Sequence, residues 1–315
     1  MKRLVAALLL TLLFMKSGSA LGEETIKIGY MPIATSLPTF VAIEKDLFGQ
    51  EGFKIELTRF ESSTIIIGAL MAGRINASCA SGTPGYWFAE QSTPGQFKIF
   101  LTHGADSLKK TSLVVVVKKD SPLKELKDLK GKRVGTSPPG ATSVAMAKAI
   151  IRTQIDPQGV IFQEVPPTIL IPALAAGQID AFFAPEPFGM MALSQGIGRH
   201  LVEEPESLLG LEKGFASAAF GFSAQFIKQN PILAKKLKTV YYRAVDLIDK
   251  DREAYRPLLI KYLGLPESIA MNIPFTNWMK IEAMDKKATQ QYFDLLYKEG
   301  AYQKKIDTTQ LYYEN

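Results

Sequence analysis

The run Ser137-Pro138-Pro139-Gly140-Ala141-Thr142-Ser143 joins a short β-like segment to a helical pattern. Free backbone N–H groups and the dipole at such a helix start make an anion site, with Gly140 and Ala141 among its candidate residues. The hydroxyls of Ser137, Thr142 and Ser143 add donors, although hydroxyls at helix starts also serve as plain caps. A second run, Ser81-Gly82-Thr83-Pro84-Gly85-Tyr86-Trp87, has similar chemistry. Gly82 admits backbone, Ser81 and Thr83 donate hydrogen bonds, and Tyr86 or Trp87 can wall a pocket or fill a core. Residues 31–37 form a third loop, with Met31 as an apolar lid and Thr35 and Ser36 as donors. The fourth, residues 184–188, sets Glu186 beside Phe188. No other carboxylate lies in the four loops, so Glu186 is placed to receive a ligand amine or ring N–H, or to serve as a hinge or surface group. None of the four loops holds Lys or Arg. A doubly charged phosphate or sulfate calls for an Arg fork, so a singly charged organic anion, or a neutral solute with an apolar body, fits better.

Residues for covalent or metal chemistry are scarce. The 315 residues include one cysteine, Cys79, and two histidines, His103 and His200, without HExxH spacing. An internal disulfide is excluded, and no metal site or cofactor is expected. Cys79 reads as a small buried hydrophobe. His103 ends a predicted strand, where it can face a cleft or be satisfied within the structure. A hydrolase elbow needs G-x-S-x-G, but neither Ser81-Gly82 nor Ser137-Pro138 has the pair of flanking glycines; neither GxxxxGK[ST] nor GxGxxG occurs. No catalytic residue is expected.

The elements that must position these loops read as α/β units. Strand-like runs at 26–30, 53–60 and 75–78 alternate with helical patterns at 39–48 and 63–72, and the same grammar restarts at Lys130. Residues 69–77, ALMAGRINA, match residues 173–181, ALAAGQIDA, at six of nine positions. Upstream, Ile28-Gly29-Tyr30-Met31-Pro32 matches Val134-Gly135-Thr136-Ser137-Pro138. Two similar lobes in tandem imply a cleft, and ligands of open α/β sheets bind beyond the carboxyl ends of the strands. All four loops lie there. The expected division is 23–117 for the first part of lobe 1, 118–218 for lobe 2, and 219–315 for the return to lobe 1 with helices from Asn230-Pro231 onward. The chain is expected to cross between lobes near 117–119 and 216–220. Met1-Lys2-Arg3, an apolar run from Leu4 to Met15, and Ser17-Gly18-Ser19-Ala20 read as an export signal over residues 1–22. Cleavage is expected near residues 20–22. No cysteine follows, so no lipid anchor is expected. A formal net charge of +6 without a basic block interleaved with aromatics gives no reason to expect nucleic-acid binding.

In order and spacing, Lys27-Ile28-Gly29-Tyr30-Met31-Pro32, Gly49-x-x-Gly52-Phe53, Asp128-Leu129-Lys130-Gly131-Lys132-Arg133-Val134-Gly135, Ala173-Leu174-x-x-Gly177-x-Ile179-Asp180-Ala181 and Glu186-Pro187-Phe188 resemble one family. It is the NMT1/THI5-like group of periplasmic solute-binding proteins, which serve ABC importers of sulfonates, taurine, nitrate and thiamine pyrimidine precursors. The resemblance covers nearly the whole chain after residue 22. It implies a type II periplasmic-binding-protein fold: two α/β lobes, a two-segment hinge, and closure on one small molecule. It also implies a periplasmic, monomeric protein whose closed form docks on an ABC permease in the inner membrane. The ligand expected is a small organic anion, sulfonate- or carboxylate-like; a pyrimidine, aromatic or lipophilic solute is the alternative. Eukaryotic relatives in this group are pyrimidine synthases with a cysteine-rich motif, which one cysteine cannot supply.

Overall fold

The computed structural model describes residues 24–104, 113–156, 159–211, 214–274 and 277–314, so the expected export signal lies outside the described residues. The first lobe opens with β1 (Glu24–Tyr30), α1 (Leu37–Glu44), β2 (Phe53–Arg59), α2 (Ser63–Met71), β3 (Ala77–Gly82), α3 (Thr83–Ser92) and β4 (Phe97–Gly104). The second consists of β5 (Leu113–Lys118), β6 (Arg133–Thr136), α4 (Thr142–Gln154), β7 (Ile161–Glu164), α5 (Pro167–Ala175), β8 (Ala181–Pro185), α6 (Phe188–Ser194) and β9 (Gly198–Val202). The chain then returns with β10 (Ala216–Ser223), α7 (Ala224–Gln229), α8 (Pro231–Lys250), α9 (Pro257–Leu263), α10 (Glu267–Ala270), β11 (Asn277–Lys280) and α11 (Lys286–Lys298).

Two mixed sheets result, ordered β11-β4-β10-β3-β1-β2 and β7-β6-β8-β5-β9. In each, three parallel strands meet one antiparallel strand, β10 beside β3 and β5 beside β8. The crossings therefore differ from the expected ones. Leu113–Lys118 hydrogen-bonds within the second sheet, so these residues already belong to the second lobe and no crossing falls at 117–119. All of β10 from Ala216 pairs in the first sheet, so the return lies between Val202 and Ala216. A continuous apolar run marks a buried strand without saying which sheet it joins.

The repeat holds at the level of packing. Gly73 and Gly177 end α2 and α5 at φ +66° and +68°, a conformation glycine adopts without a Cβ penalty. One apolar core covers the outer face of the first sheet, with Phe40, Phe100, Phe222 and Tyr241. Another backs the second, with Val114, Val116, Leu170 and Phe182. A third runs through both lobes, joining Trp87 of α3, Met146 and Ile150 of α4, and Phe293 of α11.

Candidate functional site

A cavity of about 110 Å³ lies between the two sheets. Its lining follows β1 (Met31, Pro32), β2 (Ser62, Ser63), β6 (Ser137, Pro138) and β7 (Pro167, Thr168), and takes in Gly82 at the end of β3 and Pro185 at the end of β8. These are the carboxyl ends of the parallel strands of both lobes. The antiparallel strands contribute their amino ends, Leu113 on one side and Ser217 with Ala218 on the other.

Helix starts converge on this space. Ala141, Thr142 and Ser143 open α4, Pro167 and Thr168 open α5, Ser62 and Ser63 open α2, and Gly82 precedes α3. No side chain caps α3, α4 or α5. A helix start without a cap leaves backbone N–H groups open and carries the positive end of the dipole. Only α2 is capped, the Ile65 N–H donating to Ser62 Oγ at 3.3 Å. Ser63 Oγ instead accepts the Gly82 N–H at 2.9 Å, tying the start of α2 to the end of β3.

Of the residues expected at a site, Met31, Thr35, Gly82, Ser137, Ala141, Thr142, Ser143 and Phe188 are on the cavity wall. Ser143 Oγ donates to Ser137 Oγ at 3.4 Å within the same loop. Thr142 donates not to its own helix but to the Ser217 carbonyl of the first lobe.

The other six are off the wall. Ser36 is buried and donates to the Met31 carbonyl at 2.6 Å, shaping the loop from behind. Ser81 is wholly buried in β3, where the alternation of side chains turns it away from the cavity. Thr83 donates to the Ala216 carbonyl at 2.8 Å, because β10 lies against β3. Tyr86 is a core residue bonded to Ser78, its hydroxyl pushed well above the usual range by burial. Gly140 faces the first lobe across a seam, with its φ at +92°. Glu186 turns back on its own helix: Oε2 accepts the Met190 N–H at 2.9 Å, and Oε1 lies 3.7 Å from His200 Nε2. Burial raises its pKa, opposed by the Met190 N–H and the nearby His200.

The wall also holds residues the four loops did not contain. Ser62, Ser63, Pro167 and Thr168 begin helices after β2 and β7, at equivalent places in the repeat, so the rule of carboxyl ends could have found them. His103 lies on the wall, its ring tilted against Trp278 at 5.4 Å between centroids. Burial, with a contribution from Arg252, pushes its pKa down to about 3, which keeps the imidazole neutral. Glu61 and Glu206 bring carboxylates. Glu61 accepts a hydrogen bond from Arg59 at 2.8 Å, while Glu206 is buried. No local signal marks Glu206 or Ser217, which reach the cavity only through the return crossing. Ala80, at the bulge in β3, lines the cavity at φ +62°, rare for a residue with a Cβ.

Among the described residues no helix is long and apolar enough to cross a membrane. The chain is 25% identical over 266 residues, 82% of its length and 78% of the relative's, to a protein of Escherichia coli strain K12 named for binding aliphatic sulfonates. It superimposes with a TM-score of 0.77, at 17% identity, on the ligand-binding component of an ABC-type import system from Staphylococcus aureus, covering 92% of this chain and 96% of that one. The periplasmic nitrate-binding protein of Synechocystis gives 0.72 at 18% identity, covering 90% and 83%. These likenesses bear out the expected fold, two α/β lobes of the type II periplasmic-binding-protein kind. The model of the NMT1-like family matches residues 19–264, and the chain belongs to that family.

Proposed function

We propose that the chain is a non-catalytic, extracytoplasmic solute-binding protein of an ABC importer. It closes on a small organic anion, sulfonate- or carboxylate-like, and delivers it to an inner-membrane permease. The observation that carries this reading is the convergence of uncapped helix starts from both lobes on one cavity. Such N–H groups hold a negative group without a cationic side chain, and the Thr168 and Ser143 hydroxyls lie beside them. Held from both lobes, the ligand binds the closed form better than the open one, which is the condition for it to drive closure. The relatives named above support the importer role, with export through residues 1–22 and action as a monomer as parts of the same reading.

Phe188, Leu113 and the neutral His103 on the same wall favour a second reading, an aromatic or pyrimidine-like solute. Native mass spectrometry of the purified protein, followed by thermal-shift titration, separates the two. The panel is ethanesulfonate, taurine, nitrate, bicarbonate, pyrimidines and aromatic acids. A stabilisation of about 2.7 kcal/mol at a hundredfold excess over Kd marks the ligand class. Thr168→Val is expected to weaken binding of that ligand roughly tenfold, as for one lost hydrogen bond to a charged group. No bound mass and no shift with any of the panel overturns the anion and the pyrimidine readings together.

A further inference from the structure

β3 ends on Gly82, and a Cβ added there meets the other lobe: Gly140 O and Thr142 N at 3.0 Å and Thr142 Oγ1 at 3.1 Å are the three nearest atoms. Two more glycines line the same seam. A Cβ on Gly85 comes within 3.1 Å of Gly140 O, and one on Gly140 within 3.1 Å of Thr64 Oγ1 and 3.3 Å of the Gly85 Cα. Hydroxyls cross in both directions, Thr64 donating to the Pro139 carbonyl and Thr142 to the Ser217 carbonyl. At these glycines backbone comes close to backbone across the lobes, with the Thr64 and Thr142 hydroxyls bridging beside it.

We propose that this glycine seam is the seat on which the lobes close, and that Gly82 is the positioning residue that permits closure. The contact uses protein atoms alone, so the closed form has an attraction of its own and the ligand supplies only the remainder of the bias. Gly82 has φ −57° and ψ 132°, a conformation open to any L residue. A methyl group there suits the backbone of β3, and the three atoms it meets first all belong to the second lobe. Gly68 on α2 gives a matched control, since a Cβ added there meets nothing within 4 Å.

The test is single-molecule energy transfer on the full chain in buffer without added solute. Dyes are attached through Thr58→Cys and Glu164→Cys, exposed positions at the carboxyl ends of β2 and β7. Cys79 does not compete, being buried with its thiol pushed up to about 12 by that burial. The unsubstituted and Gly68→Ala backgrounds are expected to share a short-distance population, and Gly82→Ala to reduce it about tenfold with unchanged circular dichroism. Thr64→Val, which removes one crossing hydroxyl without adding bulk, is expected to reduce it less. It carries the test alone if Gly82→Ala does not fold. The proposal is overturned if the short-distance population is missing from the unsubstituted protein, or if both variants keep it in full.

Discussion

The two lobes share a frame and differ in what they hang on it. Strands run β2-β1-β3 in one and β7-β6-β8 in the other, each followed by an antiparallel neighbour. Gly29 is pressed by Ile75 and Ile66, and Gly135 by Ile179 and Leu170, the corresponding residues of the repeat. Asn76 Oδ1 accepts the Lys27 N–H at 2.8 Å; Asp180 Oδ2 accepts the Arg133 N–H at the same distance. Only the second lobe adds charge, the Arg133 guanidinium donating to both Asp180 oxygens at 2.7 and 3.1 Å. The lobes part after the third strand. The first goes straight from Gly82 into α3, whereas the second inserts Glu186 and Pro187 before α6. The glycine and apolar positions of the repeat hold up each sheet, while equivalent places on the cleft wall carry different residues, as at Met31 and Ser137.

The largest expected effect would break the equivalence of the frames if it failed. Gly29→Val and Gly135→Val force a branched side chain into space already filled to 2.7 Å, and each should cost about 2–3 kcal/mol in denaturant unfolding. A large cost at one site only would mean that the frames are not equally packed.

Next in size, Asp180→Ala should cost about 1 kcal/mol more than Asn76→Ala, because it also removes the pair with Arg133, whose worth is reduced by partial exposure. Arg133 holds the Asp180 carboxyl below the usual carboxylate range. The extra stability is therefore present above the unfolded value and lost as pH falls through the lower folded one, so the gap between these variants should narrow in acid.

Glu186 should behave in the opposite sense and by less. Its raised pKa means that the buried charge costs stability at neutral pH, and the cost is relieved as pH falls through the raised value towards 4.5. Glu186→Gln keeps an acceptor for the Met190 N–H without the charge. A gain on the order of 0.5–1 kcal/mol at pH 7 is expected, fading in acid, with thermal unfolding against pH as the readout.

Much of the frame was legible because the repeat is local: Ala69 to Ala77 and Ala173 to Ala181 each form one helix–glycine–strand corner. Loops at helix starts were legible for the same reason, which placed Thr142, Ser143 and Gly82 on the wall. Ser36, Ser81 and Thr83 carry the right chemistry but turn inward, since their hydroxyl direction depends on strand alternation and on β10 as a neighbour. His103, Glu206 and Ser217 come to the cavity from strands and turns whose sheet membership is fixed only by the whole topology.

The place of β10 between β3 and β4 also sets an order for assembly. Everything from β5 to β9 is contiguous in sequence, so the second sheet has all its strands once residue 202 has emerged. The first sheet cannot join β4 to β3 until Ala216–Ser223 has followed. A chain emerging amino end first thus finishes its middle before its beginning. The opening strands wait as an incomplete edge through most of synthesis, a long interval in which a chaperone can hold them unfolded.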